Sequence, residues 1–241
     1  MHGFVENQQG GVGMKVTGAL HRRVLLTHVS TLALCMAVLF STPLHANGFE
    51  NLEDAELIDH IAGTVARNYG EMYGYQVAFK LIGKEVLHHS ALLVQYNAHV
   101  KRCTFLVSTR DRNWYNFQQY MRFFKDLPKK VVYEAFFAHE SGHCVQKKEK
   151  IDLGSTQRRH REELYADLFA LSHVERHFPE HRHAFEVALL DMRRAAFGIQ
   201  KDYGFYKELL KFQHSPDLHA ALTVKNPQER AYSIARVVDL L

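Results

Sequence analysis

From Val131 to Ala138 the chain is almost wholly apolar, and one row through it, Val132, Phe136, His139 and His143, recurs at i, i+4, i+7 and i+11. That spacing marks the buried face of an α-helix, here with two histidines continuing an apolar stripe. Asp126 is the expected cap, with Pro128 in the first turn, and Gly154-Ser155-Thr156 breaks the chain afterwards. Upstream, Leu57, Ile61 and Val65 form a second helical row within Leu52 to Asn68. Acids Glu53, Asp54 and Glu56 open it, and Gly70 is the expected stop.

Three short runs rich in Val, Tyr, Phe and Leu follow, at Tyr75 to Ile82, Ala91 to Asn97 and Cys103 to Ser108, bounded by turn-forming residues. They predict a small, mainly antiparallel sheet. Trp114 to Phe124 predicts an aromatic-rich helix that buries Trp114, Phe117, Tyr120 and Phe124. Further helices are expected over Arg158 to His177, where Pro179 stops the chain, over His181 to Phe197 and over Asp202 to Phe212. A last one opens at Pro227 with Ala231, Ile234, Ala235 and Val238 as its packing side. The fold class is therefore α+β, mostly helical, with a small antiparallel sheet against the helix that carries His139 and His143.

With 241 residues, 46% hydrophobic and 23% charged, the chain is long enough for one ordinary core and too well mixed for chain-wide disorder. Residues 1 to 46 read differently. Arg22 and Arg23 precede the apolar segment Val24 to Phe40, then Pro43 and Leu44-His45-Ala46, the order of an export signal cleaved after Ala46. Met14 is a second candidate start, which would make residues 1 to 13 an upstream extension. Val24 to Phe40 also reaches the lower length limit for a membrane span, so a retained anchor in an inner membrane is the alternative to a periplasmic or secreted protein. Without residues 1 to 46 the formal charge falls from +4 to +2, through loss of Lys15, Arg22, Arg23 and Glu6. No Lys/Arg stripe with interleaved aromatics remains, so nucleic acid is not an expected partner. Cys103 and Cys144 would be left as a pair, either bridged in an oxidising compartment or both buried as thiols.

The candidate chemistry sits at His139-Glu140-Ser141-Gly142-His143. Residues four apart lie one turn from each other on one helix face, so two imidazoles can meet one metal ion. Glu140, next to the first of them, can reach a metal-bound water without being a ligand, which suits a general base. A catalytic zinc needs a third protein ligand, and His160, Glu162, Glu163 and Asp167 are all within reach. Glu163 and Asp167 are i and i+4. One carboxylate of such a pair can ligate while the other fixes the tautomer of a ligating imidazole.

HExxH at 139 to 143 followed by Glu163-Leu164-Tyr165-Ala166-Asp167 resembles the HExxH plus ExxxD pattern of the gluzincin metallopeptidases, of thermolysin and M48 type. Asn97-Ala98 ahead of a strand, and Asn226-Pro227-Gln228-Glu229-Arg230 near the end, resemble further M48 elements. Here Val100-Lys101-Arg102 replaces that family's Gly-rich turn and Asn226 stands for its histidine. The resemblance implies one zincin-like metallopeptidase domain over residues 47 to 241. It implies one Zn2+ per chain on His139, His143 and Glu163, with Glu140 as base and Asp167 behind the ligands. Asn97 and Ala98 would hold the backbone of a protein or peptide substrate, although Asn97 equally suits a plain turn. An oxyanion-stabilising group is open among His160, His173, His214, His219, Tyr165 and Arg230. A metal-binding or partner-binding envelope protein that no longer turns over is the alternative function. Histidines 177, 181 and 183, around Pro179, are either a solvated loop, the more common case, or a candidate accessory metal patch.

Overall fold

The helix of the two histidines packs most extensively on the helix that follows it in sequence. The computed structural model of the chain describes residues 60–82, 91–108, 111–154, 158–199 and 215–239. All of them lie in the second of two units, Leu44–Leu241. In order they form a π-helical turn (Ala62–Ala66), α1 (Arg67–Tyr73), β1 (Gln76–Ile82), β2 (Leu92–Asn97), β3 (Arg102–Ser108) and α2 (Asp111–Met121). A 3-10 turn (Arg122–Phe124), α3 (Lys129–Lys148), α4 (Arg158–His177), a second 3-10 turn (Pro179–His181), α5 (Arg182–Ile199), α6 (Pro216–Thr223) and α7 (Pro227–Asp239) follow. The expected export segment, the start of the Leu52 helix and the Asp202 to Phe212 helix lie outside the described residues. No helix among the described residues is long and apolar enough to cross a membrane.

The fold is α+β and mostly helical, as the hydrophobic pattern predicts, but the sheet is mixed. Its order is β1-β3-β2, with β2 antiparallel and β1 parallel to β3. Four residues, 98–101, join β2 to β3, short enough for a hairpin, and Lys101 takes a left-handed conformation there (φ 46°). Positions 83–91 separate β1 from β2, long enough to pass the roughly 10 Å of two strand spacings, so β3 inserts between them. Alternation of apolar residues reports a strand's faces and not its neighbours, which is why the antiparallel expectation failed for β1.

Two boundary signals also gave way to packing. Gly70 does not stop α1. The helix runs through it to Tyr73, and Gly74, left-handed at φ 71°, ends it. A side chain at position 70 would lie 2.8 Å from both the Tyr75 carbonyl oxygen and Val77 Cγ2, so this glycine serves the close turn into β1. Asp126 does not cap α3. Pro128 occupies that position and no side chain caps the helix. Tyr120, expected inside, is 43% exposed, whereas Phe117 packs on Tyr133 and Phe136, and Phe124 is buried. The side chain of Trp114 is not among those described.

The core is the contact of α3 with α4, flanked by the sheet on α3 and by α6 and α7 on α4. Gly142 sets how near the two helices come. A Cβ there would stand 3.0 Å from Phe169 Cβ and 3.2 Å from Ala166 Cα. On the other side of α3, Cys103 of the central strand is bridged to Cys144, with Cα atoms 5.9 Å apart and both residues buried. Of the two alternatives left open by the sequence, the structure has the disulfide. Closing a loop of this size, 41 residues apart, restricts the unfolded chain by an amount equivalent to about 4 kcal/mol.

Gly142→Ala is expected to lower stability by about 1–2 kcal/mol, because overpacking costs more than the helix propensity gained. Gly63→Ala, where nothing lies within 4 Å, should instead leave stability unchanged or raise it by about 0.5–1 kcal/mol. Denaturant unfolding of the two variants beside the wild type checks the pair.

Candidate metal centre

His139 and His143 project from one face of α3, with ring centroids 5.0 Å apart and planes at 87°. Glu163 enters from the first turn of α4. Its Oε2 is 3.7 Å from His139 Nε2 and its Oε1 is 3.8 Å from His143 Nε2. For a tetrahedral ion with bonds near 2.0–2.1 Å, ligand atoms stand about 3.3 Å apart, so this spacing fits one ion with little adjustment. One ligand atom from each of the three residues lies within 4.8 Å of the others, and among the described residues no other group of His, Cys, Asp and Glu meets that condition. His177, His181 and His183, the candidate accessory patch, do not meet it, as the alternative of a solvated loop implies. Glu162 turns instead to Lys147, at 2.7 Å, and His160 is not part of the group.

Asp167, one turn after Glu163 and 1% exposed, meets His139 Nδ1 at 2.9 Å. Burial alone would raise the Asp167 carboxyl, but the Arg193 guanidinium and His139 outweigh it and hold the group down at about 2. An ionised carboxylate only accepts, so His139 Nδ1 carries a proton and Nε2 is the ring nitrogen that faces Glu163. Burial pushes His143 down to about 4, with His139 adding to the effect, so this ring is neutral at neutral pH. For His139, burial lowers the pKa, yet the hydrogen bond and charge of Asp167 win and leave it raised.

Glu140 faces the same space. Its Oε2 is closed off from solvent and has no hydrogen-bond partner. Burial raises this carboxyl to about 7, with Glu163 contributing in the same direction. A buried carboxylate oxygen without a partner is costly in a folded protein, and a cation or a water held by one would relieve it. The residues present thus fit a divalent ion by donor type, by spacing and by this unsatisfied atom.

Arg193 is the residue that sequence reasoning missed. From α5 it grips Asp167 with two N–H donors, Nε to Oδ2 at 2.8 Å and Nη2 to Oδ1 at 2.7 Å, and reaches Glu163 Oε2 at 3.4 Å. The available signal was its place in the row Phe185, Leu189, Arg193, where a cation interrupts an apolar i, i+4, i+8 face. Among the oxyanion candidates, Tyr165 is fully buried, and His173 Nε2 pairs with Glu134 at 2.9 Å. Arg230 is bound to Tyr73, and His214 lies outside the described residues. Asn97 ends β2, where its side-chain oxygen accepts the His99 N–H at 3.0 Å, the turn role the sequence also allowed, and Ala98 is exposed beside it. No family model, curated protein or solved structure matches the chain.

Arg193→Met leaves the Asp167 carboxylate buried without its cation, and a loss of about 3–5 kcal/mol in unfolding free energy is expected. The pH dependence has a definite sign. A depressed carboxylate contributes stability that is present above its unfolded pKa and lost as pH falls through the folded one, here between the ordinary 3.8 and about 2. Urea midpoints measured down that interval should drop in the wild type and drop less in Arg193→Met, where the depression is largely removed.

Proposed function

We propose that the chain is a zinc-dependent peptidase of the zincin kind, exported from the cytoplasm. The observation that carries this reading is the convergence of His139, His143 and Glu163 from two helices, with the buried, unpartnered Oε2 of Glu140 beside them. Two imidazoles and one carboxylate are a donor set typical of catalytic rather than structural zinc, because they leave a position open. A bound zinc ion would supply acidity toward water and polarise a peptide carbonyl.

The chain's own residues account for the rest. Glu140, raised to about 7, can take a proton from water near neutral pH and return it to a leaving amine. Asp167 fixes the His139 tautomer, so the lone pair needed for ligation faces inward. His143 needs no deprotonation at neutral pH. Beyond β2 no further strand pairs among the described residues, and this free edge, ending at Asn97 and Ala98, suits an extended peptide held by main-chain hydrogen bonds. The Cys103–Cys144 bridge supports export, since such bonds persist in oxidising compartments.

Metal analysis combined with two variants tests the proposal. Wild-type protein is expected to carry one zinc per chain and to cleave a mixed peptide library. Glu163→Ala should lose the metal. Glu140→Gln should keep it while cleavage falls by about 10²–10⁴-fold. Wild-type protein without bound zinc overturns the site assignment, and a Glu140→Gln variant with full biological effect favours a metal-dependent scaffold over an enzyme.

A further inference from the structure

Among the described residues a single hydrogen bond reaches the Glu163 carboxylate, and it comes from Arg193, Nη2 to Oε2 at 3.4 Å. The same carboxylate shows one oxygen to each imidazole, Oε2 to His139 Nε2 at 3.7 Å and Oε1 to His143 Nε2 at 3.8 Å. Its two oxygens are therefore unequal. Oε2 already accepts an N–H, whereas no donor among the described residues is hydrogen-bonded to Oε1.

The direction of that N–H is set by what else holds Arg193. Phe185 of α5 packs on Phe124, with ring centroids 5.3 Å apart, which seats the helix against the turn leading into α3. Leu189 and Met192 of the same helix are buried. From this seat the guanidinium meets buried Asp167 twice, through Nε at 2.8 Å and Nη2 at 2.7 Å, and two bonds to one carboxylate fix its plane. Nη2 carries two protons. With one on Asp167, the other is the one that reaches Glu163. Glu163 and Asp167 lie one turn apart on α4, so the same cation also offsets the repulsion between them.

The inequality of the two oxygens bears on how many positions an ion has left. Two imidazoles and both oxygens of one carboxylate make four donors, the number that closes a zinc site. Two imidazoles and one oxygen leave the fourth position for water or substrate. We infer that Arg193 is a positioning residue that withholds Oε2 from the ion, so that Glu163 ligates through Oε1 alone and one position stays open. This rests on the reading of His139, His143 and Glu163 as a metal centre, and adds which oxygen ligates and what keeps the other away. Lysine at this place would keep a charge for Asp167. It has no planar fork with which to grip that acid twice and aim a third N–H at Glu163.

Arg193→Lys tests this, loaded with Zn2+ or with Co2+ as a coloured substitute, with azide as the probe of the open position. In the wild type, azide should shift the visible spectrum of the Co2+ protein saturably. Arg193→Lys is expected to bind zinc as tightly as the wild type or more tightly, because Glu163 gains a second bond, while azide binding weakens by about tenfold or more. A merely structural role gives the reverse, weakened zinc with azide binding unchanged per loaded ion. That result overturns the inference, and so does a variant that matches the wild type in both. A crystal structure of the zinc-loaded wild type decides without any variant, including where Arg193→Lys fails to fold. Oε1 on the ion and Oε2 on Arg193 is the expected arrangement. Both oxygens on the ion, or Oε2 alone, overturns the inference and leaves the metal centre standing, whereas wild-type protein that takes up no ion overturns both.

Discussion

The distance between α3 and α4 governs the rest of the molecule. Both candidate imidazoles stand on one helix and the carboxylates that complete them on the other, so a shift of an ångström between the axes would separate the donors. Gly142 permits the approach by having no Cβ where Phe169 and Ala166 press in. The same residue lies between Glu140 and His143, so the position that admits the second helix and the positions that carry the chemistry belong to one turn. Close packing and site geometry are consequently one constraint here, and neither can be altered without the other.

Behind that contact a chain of charges alternates in sign. Arg193 holds Asp167, Asp167 holds His139, and His139 faces Glu163, which Arg193 also approaches. With a divalent ion present, two imidazoles, three ionised carboxylates and one guanidinium would sum to neutrality. Without it the acids are in excess, which agrees with the raised Glu140 and with its unsatisfied oxygen.

Periodic features were legible in the sequence. Helix α4 runs from Arg158 to His177 as expected, because an apolar row and Pro179 define it. The three strands fall within a residue or so of the predicted runs, and the packing side of α7, Ala231, Ile234, Ala235 and Val238, is buried. Helical spacing put His139 and His143 on one face of α3, and the ExxxD resemblance singled out Glu163, whose oxygens lie 3.7 and 3.8 Å from the two imidazoles. Features that depend on distant partners were not legible. The parallel pairing of β1 with β3 depends on a crossover, the role of Gly70 depends on β1 folding back against it, and Arg193 acts through a contact 26 residues away in sequence. The cysteine pairing was undecided for the same reason, because two positions on different elements reveal their separation only when folded.

The disulfide has a practical consequence. It fastens the central strand to the residue immediately after His143, so the strand layer and the ligand helix move as one body. Both sulfurs are sealed in the core. Dissolved thiols reach them only after the surrounding layers have opened, so reducing buffers leave folded material intact while trapping any molecule that opens in their presence. Preparations made in a reducing host would begin from the opposite situation, with the strand and helix free to find each other before the crosslink exists.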